Sequence, residues 1–157
     1  MSSIKFDISG FEQYVKNFEQ FSTGLNNFVR NFLLQQANIV LADTKAKTPV
    51  KTGDLRNRWE LTDVRKVGND YQIQIFNTLY YASYIEDGHK QRVGRFVPGI
   101  IDANGFHYVK GAKSGIVLKR PFINGFHMCR IALTNLDLNM KRQFEMAFKT
   151  YRERCKV

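Results

Sequence analysis

The sequence predicts an α+β domain: a small, mostly antiparallel sheet flanked by a long N-terminal helical region and a C-terminal amphipathic helix. Three observations carry this. Apolar residues recur every three to four positions as far as residue 47. Short alternating runs punctuated by glycine fill the middle of the chain. A single apolar stripe at helical spacing occupies the end. Helices at the ends and strands adjacent in sequence describe α+β rather than alternating α/β architecture. With 157 residues, 1–157 is expected to be one domain. It would be helical over 1–47, hold a corner, hairpins and basic loops over 48–126, and end in a helix over 127–155.

The first helix is expected to open at a capping box, Ser9-x-x-Glu12, in which each residue's side chain reaches the other's backbone N–H. Phe11, Tyr14, Val15, Phe18 and Phe21 follow at helical spacing, then Leu25, Phe28, Val29, Phe32, Leu33, Ile39 and Val40. Gly24 interrupts the pattern at about 1 kcal/mol relative to alanine, so a kink or a split is expected there. Pro49 disfavours helix at the residue before it, which places the end near Lys47.

The stretch "TPVKTGDLRNRW", Thr48 to Trp59, reads as a structural corner. Pro49 stops the helix, and Gly53 permits the turn through positive φ. Thr52 or Asp54 caps a short helical turn, and Leu55 with Trp59 pins the corner to the core. Arg56 and Arg58 are candidates for a salt bridge to a neighbouring chain.

An extended run from Trp59 to Val67, a turn at Gly68-Asn69-Asp70, and Tyr71, Ile73 and Ile75 alternating with Gln72 and Gln74 predict a hairpin. "TLYYASYIEDG" predicts two helical turns stopped by Gly88. "HKQRVGRFVPG" reads as a mobile loop. Asn104-Gly105 is expected to be a hairpin turn, "KGAKSG" a loop, and "IVLKRPF" a short strand ending at Pro121. In the last helix Leu133, Leu136, Met140, Phe144, Ala147 and Tyr151 form one stripe.

The net charge of +10 is uneven. Residues 1–87 carry 10 basic and 10 acidic side chains, whereas residues 88–130 carry eight basic and one acidic. Lys90, Arg92, Arg95, Lys110 and Lys113 are therefore candidate interface or DNA-facing residues. Phe96, Phe106, Tyr108 and Phe122 interleave with them, either as base-stacking platforms or as core aromatics beneath a solvated basic rim.

Chemistry is poorly supported. His89, His107 and His127 are separated, and no HExxH, GxSxG or GxxxxGK[ST] pattern occurs. Glu86, Asp87 and His89 can be imagined as a metal-dependent nuclease centre, but neighbouring carboxylates on a helix do not face each other. Cys129 and Cys155 lack metal-ligand spacing and are expected to be reduced. No cofactor, no catalytic residue and no metal site is expected. No apolar run is long enough to span a bilayer, and the N-terminus lacks the order of a signal peptide.

Two motifs together carry a resemblance. One comprises Pro49, Thr52, Gly53, Leu55, Arg56 and Trp59. The other comprises Tyr81, Ala82, Tyr84, Glu86, Gly88 and His89. Spaced by one hairpin, they resemble the tail-component family of long-tailed bacteriophages, the head–tail joining, neck or tail-completion proteins, distantly akin to the minor tail protein Z of lambda. In element order the resemblance runs over residues 25–150. It implies a structural virion protein assembled in the host cytoplasm and built into a homo-oligomeric ring of six- or twelve-fold symmetry. The ring would lie between connector proteins and tail-terminator or tail-tube proteins, with DNA passing through it. A basic nucleic-acid-binding module is the alternative.

Overall fold

The structure, a computed structural model, describes residues 9–157, with side chains from Glu12 onward. The Ser9 side chain, on which the expected capping box depends, and the Phe11 side chain fall outside what is described. Two compact units emerge. The first combines residues up to Thr78 with Met128 onward, and the second spans Leu79–His127. The α+β class is as expected: long helices at the two ends, and every strand pair between them antiparallel.

The first unit is organised by two helices, α1 (Ser9–Lys47) and α4 (Met128–Cys155). They run antiparallel along a seam of rings. Phe21 packs on Tyr151 at 5.2 Å and on Phe148 at 6.0 Å between ring centroids. Phe28 stacks on Tyr151 at 4.7 Å, and Phe32 meets Phe144 edge-on at 5.4 Å. Such pairs contribute about 0.5–1.5 kcal/mol each beyond the area they bury. Phe148, outside the stripe read from the sequence, is therefore part of the contact. At the other end of the seam Asn135 of α4 donates to Asp43 of α1 at 3.4 Å. Lys47 also pairs with Asp43, and this hydrogen bond leads the causes that hold the Asp43 carboxyl below its ordinary range.

Gly24 does not split α1, which runs unbroken through it. The Tyr151 hydroxyl donates to the Phe21 carbonyl at 2.6 Å, and a Cβ on Gly24 would stand 2.5 Å from that hydroxyl. The glycine is a notch that admits the tyrosine from α4. Burial pushes the Tyr151 phenol above its usual value, with Cys155 adding to the shift.

Between these helices in sequence lie α2 (Asp54–Asn57) and a long hairpin. In the hairpin β1 (Trp59–Leu61) pairs with β4 (Ile75–Asn77), and β2 (Arg65–Val67) with β3 (Asp70–Gln72). Gly68, at φ 62°, takes the first position of the two-residue turn, as a type II′ geometry requires. Tyr71, Ile73 and Ile75 are half-buried while Gln72 and Gln74 are exposed, the predicted alternation.

The second unit holds α3 (Ala82–Asp87) and a ribbon of strands. Here β5 (Gly88–Lys90) pairs with β9 (Phe122–Asn124), while β6 (Phe96–Asp102) pairs with both β7 (Gly105–Tyr108) and β8 (Gly115–Val117). Backbone bonds from Gln91 N to Pro121 O (2.8 Å), Gly94 N to Leu118 O (2.9 Å) and Leu118 N to Arg95 O (3.0 Å) join the two ladders. The segment expected to be a mobile loop is therefore one side of an antiparallel ribbon. Its partner continues past Pro121 into β9, where the sequence reading ended the strand.

Glycines permit this ribbon. A Cβ on Gly88 would lie 2.9 Å from the Phe122 ring, one on Gly99 2.5 Å from Phe106, and one on Gly115 2.7 Å from Phe96. Each phenylalanine lies across a glycine of the adjoining strand, covering backbone that would otherwise be bare. The expected Asn104-Gly105 turn is displaced by one residue. Asp102 pairs with Gly105, so Ala103 and Asn104 form the turn. Gly105 follows with φ 106°, the glycine of a G1 bulge. Asp102 Oδ1 accepts from the Asn104 N–H at 2.8 Å and secures this register.

One prediction tests the seam. Gly24→Ala should destabilise the protein, because an overpacking cost of about 1–3 kcal/mol exceeds a propensity gain of about 1 kcal/mol. The cost should shrink in a Tyr151→Phe background, as read by denaturant unfolding of all four members of the cycle. Equal costs in both backgrounds would contradict the notch.

Candidate functional site

The first motif forms the corner between α1 and the hairpin. Thr44 and Thr48, one turn apart at the end of α1, are both buried. The Thr48 hydroxyl donates to the Thr44 carbonyl at 2.7 Å and accepts from the Trp59 indole N–H at 3.1 Å. Trp59 and Leu55 are themselves buried, and the Leu55 carbonyl accepts from the Asn77 amide at 2.8 Å. Gly53 stands at φ 92°, a conformation that only glycine adopts cheaply. The Thr52 hydroxyl donates to Asp54 at 2.7 Å, ordering the approach to α2. Pro49, Arg56 and Arg58 are exposed. Leu55 and Trp59 thus anchor the corner, and its two arginines face outward.

The second motif lies in the second unit. Tyr81 precedes α3, and Tyr84 on that helix meets the His89 ring edge-on at 5.6 Å. The Glu86 carbonyl accepts from the His127 N–H at 3.0 Å, and the Ile85 carbonyl from the Phe126 N–H at 2.8 Å. Gly88, at φ 81°, ends the helix where a Cβ would strike the Ile123 carbonyl. The motif therefore locks a helix end against the returning strand β9. Glu86, Asp87 and His89 do not converge: among the described residues no group of three or more His, Cys, Asp or Glu is placed to hold a metal.

The basic candidates Lys90, Arg92, Arg95, Lys110 and Lys113 are all exposed on the second unit. Phe96, Phe106 and Phe122 lie over glycines, which accounts for three of the four aromatics set among these charges. The fourth, Tyr108, is 64 % exposed.

Sequence reasoning missed a cleft in the first unit. Leu33, Ala37 and Val40 of α1, Ile73 and Ile75 of the hairpin and Leu136 of α4 line a half-open cavity of ≈ 170 Å³. Gln36 also lines it, 3 % exposed, and its Oε1 is buried with no hydrogen-bond partner. The apolar periodicities of α1 and α4 name several of these residues, but periodicity cannot tell a filled contact from an unfilled one.

Large apolar side chains are also left in water. Tyr14, Val15 and Phe18 near the start of α1, and Ile131, Leu138 and Met146 on α4, are exposed, Leu138 at 79 %. In the second unit the apolar surface includes Tyr80, Ile100, Ile101 and Val117. Among the described residues no helix is long and apolar enough to cross a membrane.

Residues 12–88 match a family model described as "Bacteriophage HK97-gp10, putative tail-component". The similarity is to a phage tail-component family. This agrees with the resemblance carried by the two motifs. The matched stretch contains the corner and α3 and stops at Gly88, before His89. It begins and ends earlier in the chain than the resemblance over 25–150, and the basic ribbon and α4 lie beyond it. No curated protein and no solved structure gives a match.

Thr48→Val tests the corner. It keeps the shape, removes the acceptor of the Trp59 N–H, and should cost about 1–3 kcal/mol by leaving a buried donor unpaired. Denaturant unfolding followed by Trp59 fluorescence measures this, and a change under about 0.5 kcal/mol would show the relay to be idle.

Proposed function

We propose that this chain is a structural virion protein of the phage neck, whose copies close into a ring that joins the head connector to the tail and lets DNA pass. The observation that carries this reading is uncovered apolar surface on both units of a chain similar to tail components. Where exposed apolar side chains join into a contiguous patch, the patch marks contact with another protein. A ring requires heterologous contacts that close by rotation, with different patches meeting at each interface. Six- or twelve-fold closure suits a layer stacked between a connector and a tail tube. Arg56 and Arg58 on the corner, and the basic residues of the ribbon, are available to neighbouring subunits and layers. Their work is orientation, since a surface ion pair contributes only about 0–1 kcal/mol. The role calls for no catalytic group and no cofactor. Its setting is the virion, after assembly in the host cytoplasm.

A second reading, a basic nucleic-acid-binding module, is favoured by one observation: Arg92, Arg95, Lys110 and Lys113 are exposed on a single unit. It requires tight DNA binding that weakens steeply with salt, because each neutralised phosphate releases counterion. A channel meant for passage should grip weakly.

Light scattering of the purified protein is expected to give a mass several times that of the 18.3 kDa subunit. Purified particles are expected to contain the chain, and DNA binding is expected to be weak and insensitive to combined neutralisation of those four residues. A subunit that stays single at every concentration and is missing from particles overturns the neck assignment. Tight, salt-dependent binding abolished by the neutralisation selects the second reading.

A further inference from the structure

We propose that the basic ribbon of the second unit docks on an acidic surface of a different virion protein, and not on DNA or on a second copy of this chain. The inference rests on the neck reading and names the chemistry of a partner for one of its surfaces.

The surface is built around a turn. Between the pairs Lys90–Phe122 and Phe96–Val117, five residues of one strand, 91–95, face four of the other, 118–121. A β-turn takes up the surplus residue: the Arg95 N–H donates to the Arg92 carbonyl at 3.2 Å, with Gly94 at φ 83°. The Gly94 N–H donates to the Leu118 carbonyl at 2.9 Å, and the Leu118 N–H to the Arg95 carbonyl at 3.0 Å, which ties the turn to the neighbouring strand. Val93 thus stands exposed between two arginines on a fixed turn. Lys119 and Arg120 lie across the ribbon, and Lys90 lies at its end. All five cations are exposed, and none has an ion-pair partner among the described residues. Asp102, the one carboxylate side chain in residues 88–127, is held in the β6–β7 turn by the Asn104 N–H and by His107.

Charge and apolar exposure together select the occupant. Five unshared cations on one ribbon would grip a phosphate backbone, and a channel through which DNA slides cannot carry such a grip. Val93, Phe96, Val117 and Phe122 are also 43 % or more exposed. A phosphate backbone leaves them uncovered, whereas arginine set among aromatic and aliphatic groups is the composition of a protein–protein contact. The guanidinium forks of Arg92 and Arg95 suit carboxylates, which they pair with bidentately.

A copy of the chain does not supply the acid. The first unit carries 17 basic and 11 acidic side chains, and the second carries seven basic and three acidic. Every acidic residue of the first unit has a lysine or arginine within four positions in sequence. Lys47, Lys141 and Lys149 already pair with Asp43, Glu145 and Glu153. The countercharge therefore comes from another protein, and contacts between copies are left to apolar surface.

The test is carbodiimide coupling in purified particles, which joins a lysine amine to a carboxylate only where the two touch. Peptide mass spectrometry is expected to find Lys90 or Lys119 joined to an aspartate or glutamate of a different virion protein. Arg92→Glu combined with Arg95→Glu is expected to lower incorporation of the chain into particles at least tenfold, while the purified protein keeps its mass and melting temperature. Coupling to carboxylates of this chain alone overturns the proposal in favour of a second copy. Protection of both lysines from acylation that is lost when the particles release their DNA overturns it in favour of DNA. No coupling at either lysine, or normal incorporation of the double variant, also overturns it and leaves the neck reading standing, since the chain is then present in particles. A native chain missing from particles overturns both.

Discussion

A helix of 39 residues is about 58 Å long, and its partner of 28 residues about 42 Å. This mismatch governs the first unit. Because the two run antiparallel, Asn17 of α1 reaches the Lys156 carbonyl at 3.3 Å, just past the end of α4. The turns of α1 before Asn17 extend beyond it. Where the helices overlap, six rings form a nearly continuous seam from Phe21 to Phe144, and Gly24 yields the space that lets Tyr151 close it. Where they do not, Tyr14 and Val15 stand in water. The seam thus fixes which apolar residues are internal and which remain for something else to cover.

The second unit reaches its shape by different physics. Among its described residues only Ala82 and Gly99 are buried, so no packed core holds it. Its order comes from ladder bonds, from three phenylalanines laid over glycines, and from a turn secured by Asp102. A ribbon of this kind is marginal by itself. The lysines and arginines Lys90, Arg92, Arg95, Lys110 and Lys113 stand exposed along it.

Much of the fold was legible in the sequence because it is local. Pro49, Gly53 and Gly88 mark breaks that follow from backbone geometry, and the alternation from Tyr71 to Ile75 reports one wet face. What was not legible depends on partners distant in sequence. Gly24 reads as a helix breaker until Tyr151 is seen against it. "HKQRVGRFVPG" reads as loop because glycine, proline and charge depress strand propensity, whereas its pairing with residues 115–124 overrides them. The Asn104-Gly105 turn slipped by one residue because a G1 bulge places its glycine after the turn rather than inside it. Of the candidate site, both motifs were visible as spacing, and the structure assigns them to a helix–hairpin corner and a helix end. The cleft beside Gln36 was invisible, because an absence of packing leaves no periodic trace.

The central claim is that this chain completes its apolar burial against copies of itself. Side-chain oxidation by hydroxyl radicals, read by mass spectrometry on dilute protein and on the assembled form, tests it most directly. Tyr14, Phe18 and Leu138 should react readily in dilute protein and become protected on assembly, while Lys-rich surface peptides change little. An assembled form in which those three side chains react as fast as they do in dilute protein would contradict the account.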